Sequence, residues 1–158
     1  MKSNIHLKLD GIEGESTDQR HKDWIDAAAC SDGITMPVNF GAGGGTASRA
    51  VFSPVRILKA VDKASTGLRE KAAAGRRIQQ VLVDFTRPIA GQDSKYLEIE
   101  LREVFVSEVS MTTQIPDVSQ EVVAFEFEEI KITYTQYNAS GGKIGQTEFS
   151  WNRVTNSK

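Results

Sequence analysis

Apolar and polar residues alternate along several segments of the chain, with a period of two. Ile5, Leu7 and Leu9 alternate with polar residues, which places the apolar set on one face of a strand. The same alternation recurs in four more sets: Val81, Val83 and Phe85; Leu97, Ile99 and Leu101; Val123, Phe125 and Phe127; Ile130, Ile132 and Tyr134. This period predicts a mainly β fold.

The apolar positions change parity at two points along the chain. They are odd-numbered up to Leu101 and even-numbered from Val104 onward, and a similar change occurs across Glu128-Glu129. A strand changes its buried face when an extra residue is inserted, so we expect bulges or sharp bends at Arg102-Glu103 and Glu128-Glu129. Such bends allow a sheet to curl into a barrel.

One segment, between Asp62 and Gly75, favours an α-helix because it is rich in strong helix formers. We expect Ser65 or Thr66 to cap its first amides and Gly75 to end it in a left-handed conformation. Leu68 and the alanine four residues later share one face, which is typical of a short amphipathic helix lying over a sheet.

A glycine-rich segment at residues 40–49 lies between strands predicted for residues 33–39 and 50–58. It has no apolar alternation, so we expect a long mobile loop, and long loops in compact domains are often functional. A phosphate-binding loop is disfavoured, because Gly45 is followed by Thr46 rather than lysine and a strand follows instead of a helix. We predict that this segment contacts a neighbouring protein molecule through Phe40, Gly41, Gly43, Gly44, Gly45, Thr46 and Arg49.

Length and composition describe an ordinary globular chain. Its 158 residues fit one domain, residues 1–158. The 19 basic residues are balanced by 21 acidic ones, which argues against nucleic acid as a partner. No segment has the length and apolarity of a membrane span. The alternation from Met1 to Lys8 is not the continuous apolar stretch of a secretory leader, so we expect none to be cleaved.

The histidines and the cysteine do not suggest a catalytic or metal centre. His6 falls on the polar face of the first strand, and His21 lies in a polar turn. A metal site could recruit His21 with Asp18 or Asp23, but no second histidine stands at a binding spacing, so a solvated turn is favoured. Cys30, the single cysteine, follows three alanines without a nearby base, which favours a small buried or half-buried filler over a nucleophile.

Paired carboxylates also lack a catalytic arrangement. Glu128 and Glu129 are adjacent in a predicted strand and point to opposite faces. Glu98 and Glu100 share a face, which we expect to be wet, facing solvent or a polar channel. We therefore expect no enzyme activity and no cofactor.

Several segments, in order along nearly the whole chain, closely resemble the hemolysin-coregulated protein (Hcp) family of type VI secretion. The opening carries the resemblance at residues 5–18 and 21–25, and the middle at residues 62–75. Further matching segments are residues 96–101, 104–107 and 130–134, Gly142-Lys143 and Trp151-Asn152.

This resemblance implies a β-barrel of two antiparallel sheets with one short α-helix, similar to phage tail-tube proteins. It also implies homo-hexameric rings that stack into an inner tube, which the sheath surrounds. The tube would leave the cell with the spike and would hold effectors in its lumen. The protein would be cytoplasmic before assembly and then secreted without a signal peptide. The glycine-rich segment would be the ring-to-ring contact. A monomeric ligand-binding β-barrel is the alternative.

Overall fold

Most of the chain forms β-strands in the computed structural model, which describes residues 4–158. Residues 1–3, where the predicted N-terminal alternation begins, lie outside the described residues. The strands are β1 (Asn4–Leu9), β2 (Ile25–Ala27), β3 (Ala29–Ser31), β4 (Ile34–Thr35), β5 (Val38–Gly41), β6 (Gly44–Ala47), β7 (Val51–Phe52), β8 (Val55–Ala60), β9 (Ile78–Ile89), β10 (Gln92–Thr112), β11 (Gln120–Tyr137) and β12 (Lys143–Asn152), with helix α1 (Ala64–Ala74). The predicted mainly β fold with one short helix is confirmed.

Eight strands form one antiparallel sheet that curls back on itself. The order is β2-β1-β9-β10-β11-β8-β3, and β12 lies beside β11. A single residue, Ala28, separates β2 from β3, and its N–H donates to the carbonyl of Leu58 on β8 at 2.7 Å. Because β2 pairs with β1 and β3 pairs with β8, this short segment joins the two ends of the sheet into a nearly closed barrel.

The alternating apolar side chains fill the inside of this barrel, as the period of two predicts. Fully buried members include Leu7, Ile25, Ile57, Val83, Leu101 and Phe125. Each lies on a different strand. Their burial removes apolar surface from water, and this stabilises the packing of these strands around one core.

The predicted change of buried face is confirmed at both points, but the extra residue that was predicted to cause it is not inserted there. Arg102 faces Glu129 and Val104 faces Phe127, so the register is the same on both sides and no residue is inserted. Instead the two strands change face together, and Glu103 adopts a left-handed backbone with φ of 53°.

An inserted residue does occur in β10, a few positions further along. The pairing of β10 with β11 shifts between Val106 and Glu108, which leaves Ser107 as the extra residue. The Ser107 hydroxyl donates to the carbonyl of Ala124 at 3.2 Å. This bulge bends β10 a few residues after the point where its buried face changes.

Helix α1 packs against β10 and ends as predicted. Leu68 is completely buried, and Gly75 has a left-handed backbone with φ of 60°. The predicted caps are wrong, because neither Ser65 nor Thr66 caps the first turn. The Asp62 carboxylate accepts the N–H of Ala64 at 3.0 Å instead, while the Ser65 hydroxyl points into a buried polar network.

The glycine-rich segment is a β-hairpin rather than a loop without regular structure, so this part of the prediction is wrong. β5 and β6 pair from Val38 with Ala47 to Gly41 with Gly44 around a two-residue turn. Backbone hydrogen bonds define the hairpin, and they need no apolar alternation, which is why the side-chain pattern does not reveal it. The predicted flanking strands are each divided in two, as β4 and β5 and as β7 and β8.

Candidate functional site

The β5–β6 hairpin, residues 38–47, projects from the barrel, and we call it the arm. Every residue of β5 and β6 is exposed, and the Phe40 side chain is 84% exposed. Phe40 faces Gly45 across the hairpin, and a Cβ on Gly45 would lie 2.8 Å from Cε1 of the ring. Glycine at position 45 therefore lets the phenyl ring lie across the opposite strand.

The structure places six of the seven predicted contact residues on the arm or its turn and the seventh at its base. Phe40, Gly41, Gly43, Gly44, Gly45 and Thr46 belong to the arm. Arg49 lies at the base, where its guanidinium donates to the backbone carbonyl of Arg153. The base of the arm is therefore tied to the C-terminal segment.

An apolar groove of about 600 Å³, the base groove, opens beside Arg49. Its walls include Phe52 and Phe127, whose rings meet edge to face with centroids 6.1 Å apart. Three apolar side chains along the groove are exposed: Val51 by 57%, Phe105 by 39% and Val154 by 69%. The sequence pattern did not reveal this groove, because its walls come from segments far apart along the chain.

Arg153 is held in the base groove by aromatic and polar contacts. Its guanidinium carbon lies 5.7 Å from the centroid of Phe52 and 5.0 Å from that of Phe127. The same guanidinium donates to the Glu126 carboxylate at 2.9 Å and to the Phe127 carbonyl at 3.0 Å. These contacts fix the C-terminal segment against the barrel.

A row of polar residues crosses six neighbouring strands on the face opposite the core. From β2 to β12 the row is Asp26, His6, Asp84, Glu98, Thr133 and Glu148. Glu98 pairs with Lys95, and Glu100 pairs with Arg102 at 2.8 Å. Both glutamates are half-buried among polar partners, which agrees with the predicted wet face.

The Glu100 carboxylate is stabilised in its charged form by these neighbours. Partial burial by itself would raise the pKa of Glu100, but hydrogen bonds from Gln80 and Arg102 outweigh it and hold the pKa below its usual value. At this part of the polar face, neighbouring polar and charged side chains therefore stabilise the charge of Glu100.

His6 and His21 lie together on this face, and the predicted solvated turn around His21 is wrong. The two imidazoles stack with centroids 4.2 Å apart and planes 9° apart, and His6 and His21 are only 4% and 5% exposed. The loop between β1 and β2 covers the polar face here, so His21 reaches down onto His6. Their separation of 15 positions concealed the contact from any search based on sequence spacing.

Carboxylates surround the stacked imidazoles. His21 Nδ1 lies 2.8 Å from Asp18 Oδ1, and His21 Nε2 lies 2.9 Å from Asp84 Oδ2. His6 Nδ1 lies 2.9 Å from Asp26 Oδ1. Partial burial would raise the pKa of Asp18, but the bonds it accepts from His21 and from two backbone N–H groups outweigh it and lower the pKa.

A second buried polar network lies beneath the start of α1. The Lys59 ammonium donates to Glu121 at 2.7 Å and to Asp62 at 2.8 Å, and the Ser65 hydroxyl donates to Glu121 at 2.6 Å. This network joins β8 and β11 to the helix. Lys59 shares the parity of Val55 and Ile57, which was the signal in the sequence that it points inward.

Cys30 lies half-buried on β3, as predicted for a filler. Burial, together with the nearby Asp32 carboxylate, raises the pKa of its thiol to about 12. The sulfur therefore stays protonated near neutral pH, which makes it a poor nucleophile. Within residues 4–158 no helix is long and apolar enough to cross a lipid bilayer.

Comparison with known proteins finds similarity over almost the whole chain. A family model described as "Type VI secretion system effector, Hcp" matches residues 6–134. The protein hcp1 of Pseudomonas aeruginosa is 28% identical over 155 residues, which cover 96% of each chain.

Two solved structures show the same fold. One, described as a type six secretion system protein, superposes with a TM-score of 0.90 at 26% identity and covers 98% of both chains. The other, Hcp1 from Salmonella typhimurium, superposes with a TM-score of 0.81 at 25% identity and covers 99% of both chains.

Proposed function

The chain belongs to the Hcp family of type VI secretion proteins, and on this premise we propose that it is a structural subunit of the secretion tube. Six copies form a ring, and rings stack into an inner tube that is expelled with the spike. The lumen of the tube carries effectors. This role is structural rather than catalytic, and residues 1–158 act in it as one domain.

The exposed arm is the observation that carries this proposal. A projecting hairpin with a phenyl ring 84% exposed leaves apolar surface in water unless another molecule covers it. The two outer edges of a hairpin also offer unpaired backbone groups to a neighbouring chain. Both features favour a contact between copies of the chain.

The arm and the base groove together favour rings and stacks over closed dimers. They are different surfaces of one chain, and contacts between unlike surfaces repeat from copy to copy. The repeated contact closes into a ring when the rotation from one copy to the next adds up to a full turn, and otherwise it continues as an open stack. We assign the ring-to-ring contact to the arm and its base, with Phe40 at its centre.

The proposed location follows from the proposed role. The chain folds in the cytoplasm, assembles there inside the sheath and leaves with the spike. Its partners are proteins: other copies of itself, the spike, the sheath and the effectors. A balanced charge, with 19 basic residues against 21 acidic ones, supports protein partners over nucleic acid.

Light scattering and electron microscopy of the purified full chain test the proposal. We expect size-exclusion chromatography with light scattering to report six copies and negative-stain images to show rings with a central hole. A particle that remains a single chain at high concentration would contradict the tube subunit and favour a monomeric ligand-binding β-barrel.

A further inference from the structure

Three side chains that can bind a metal ion meet between β1 and the loop that follows it. One ligand atom each of His6, Asp18 and His21 lies within 4.8 Å of the other two. The two histidines are more than nine-tenths buried, and Asp18 is partly exposed. From this cluster we propose that the chain binds one first-row transition-metal ion, such as Zn²⁺, through His6, Asp18 and His21.

Each imidazole has one nitrogen held by a carboxylate that is not itself among the three proposed ligands. Asp84 holds Nε2 of His21 at 2.9 Å, and Asp26 holds Nδ1 of His6 at 2.9 Å. A carboxylate on one ring nitrogen is the usual support of a metal-binding histidine, because it orients the ring and strengthens the other nitrogen as a ligand. The arrangement leaves Nδ1 of His21 and Nε2 of His6 for the ion.

Those two nitrogens and Asp18 form a coherent ligand set. Asp18 Oδ1 lies 2.8 Å from His21 Nδ1, so the ion takes the place of the proton that these two atoms share. His6 Nε2 is buried and has no hydrogen-bond partner among the described residues. Asp84 Oδ1, in the same cluster, is likewise buried without a partner among residues 4–158. Buried polar atoms left unbonded are costly, and an ion bound at His6 Nε2 satisfies that nitrogen.

The charge of the cluster also favours a cation. Three carboxylates, those of Asp18, Asp26 and Asp84, lie within 2.9 Å of the imidazole nitrogens. The ammonium beside them is that of Lys95, 3.5 Å from Asp84. Once the proton shared by His21 Nδ1 and Asp18 is displaced, three carboxylates face one ammonium, and a divalent ion neutralises this excess of negative charge.

Binding requires one imidazole to leave the stack. A nitrogen lone pair lies in the plane of its ring, so rings stacked 9° from parallel cannot both point at one ion. His21 is held at both nitrogens, whereas His6 is held at one, by the exposed Asp26. His6 is therefore the ring that turns, and a cavity of about 420 Å³ beside His6, Asp18 and Asp26 provides the space.

The ligand types select the class of metal. Two imidazole nitrogens and one carboxylate oxygen suit Zn²⁺, Co²⁺ or Ni²⁺, whereas Ca²⁺ and Mg²⁺ prefer oxygen ligands alone. Water from the adjoining cavity completes a four-coordinate set. The ion joins the loop between β1 and β2 to the barrel, and so it stabilises the folded chain.

Calorimetric titration of the purified full chain with ZnCl₂, after treatment with EDTA and dialysis, tests the site. We expect one zinc ion per chain and, with Co²⁺ in its place, the visible absorption bands of a tetrahedral complex. His6→Phe keeps a ring in the stack but removes a ligand, and we expect it to weaken zinc binding at least about tenfold. Asp10→Asn changes an exposed carboxylate of the same loop and is expected to leave zinc affinity unchanged.

Binding of less than one zinc ion per chain, or equal affinity in the wild type and His6→Phe, would overturn the proposal. If circular dichroism shows that His6→Phe does not fold, Asp18→Asn replaces it, because this carboxylate is 32% exposed and tolerates the change more easily. Zinc affinity of Asp18→Asn equal to that of the wild type would overturn the proposal in the same way.

Discussion

Lys59 of β8 and Glu121 of β11 are direct cross-strand partners, and both side chains are completely buried, with Nζ 2.7 Å from Oε1. Both residues occupy core-facing positions of their strands. Asp62 and the carbonyl of Ala60 accept the other ammonium hydrogens, at 2.8 and 2.9 Å. The pair is therefore a hydrogen-bonded unit that fixes the register of the two strands.

Removing one partner of this pair should cost much more than removing both. Glu121→Leu leaves the Lys59 ammonium buried with reduced compensation, and we expect a loss of about 3–5 kcal/mol in the free energy of unfolding. The double variant Lys59→Met with Glu121→Leu should lose less than Glu121→Leu alone. Urea denaturation at one fixed protein concentration measures both.

Lys131→Gln is the control for this comparison, because Lys131 forms an exposed ion pair with Glu148 at 3.5 Å. We expect this change to cost less than about 1 kcal/mol. A double variant less stable than Glu121→Leu would show that the pair is not acting as a unit.

The turn between β9 and β10 offers a stabilising substitution. Ala90 and Gly91 both have positive φ, 50° and 78°, which is the geometry of a type I′ turn. Asparagine tolerates the left-handed region better than alanine, so Ala90→Asn should raise the free energy of unfolding by about 0.5–1 kcal/mol. Gly91→Ala at the next position should lower it, and the two melting temperatures should move in opposite directions.

Acid should weaken the attachment of the loop between β1 and β2. The folded pKa of Asp18 lies below its ordinary value of 3.8, so its charged form contributes stability above that value. This contribution is lost as pH falls through the lowered pKa. We expect the melting temperature of Asp18→Asn to vary less than that of the wild type below about pH 4.

A carboxylate outside this loop provides the control for the acid experiment. The hydrogen bonds from Arg56 and Ser110 lower the pKa of Glu108. The contribution of Glu108 to stability should also be lost as pH falls. Because Glu108 lies on the surface, 1 M NaCl should suppress this contribution. Equal pH dependence of melting in Asp18→Asn and the wild type would contradict the predicted role of Asp18.

Phe40→Ser should abolish stacking of rings while leaving single rings and the fold intact. The ring of Phe40 lies against Gly45 of its own arm and is 84% exposed, so a neighbouring copy can reach it. Negative-stain images should show separate rings instead of tubes. Ile115→Ser changes a side chain that is 93% exposed in a different loop, and it should leave tubes unchanged.

The Cys30 thiol should react slowly with alkylating reagents in the folded chain. A pKa near 12 leaves a thiolate fraction at pH 8 about a thousand times lower than at the ordinary value of 9.0. Labelling with iodoacetamide, followed by mass spectrometry, measures the rate. The chain unfolded in urea is the control, and equal rates in the two states would contradict the burial of the thiol.

The sequence by itself determined the core-facing strands with alternating apolar residues, the end of the helix and the family. Alternation of apolar residues is a local property, and it marked the core positions from Leu7 to Phe125 correctly because a strand turns successive side chains to opposite faces. Gly75 ended α1 as predicted because its left-handed backbone is also a local requirement. The order of matching segments along the chain identified the Hcp family because this order is a property of the sequence and does not depend on contacts between distant residues.

Tertiary structure alone decided which distant side chains meet. His6 and Asp84 face each other because β1 pairs with β9, and His21 joins them because its loop covers that face. The arm became a hairpin through backbone hydrogen bonds, which side-chain periodicity does not record. The burial of these side chains, and contacts such as that of His21 with Asp84, depend on neighbours from other segments of the chain, so they exist only once the sheet has formed.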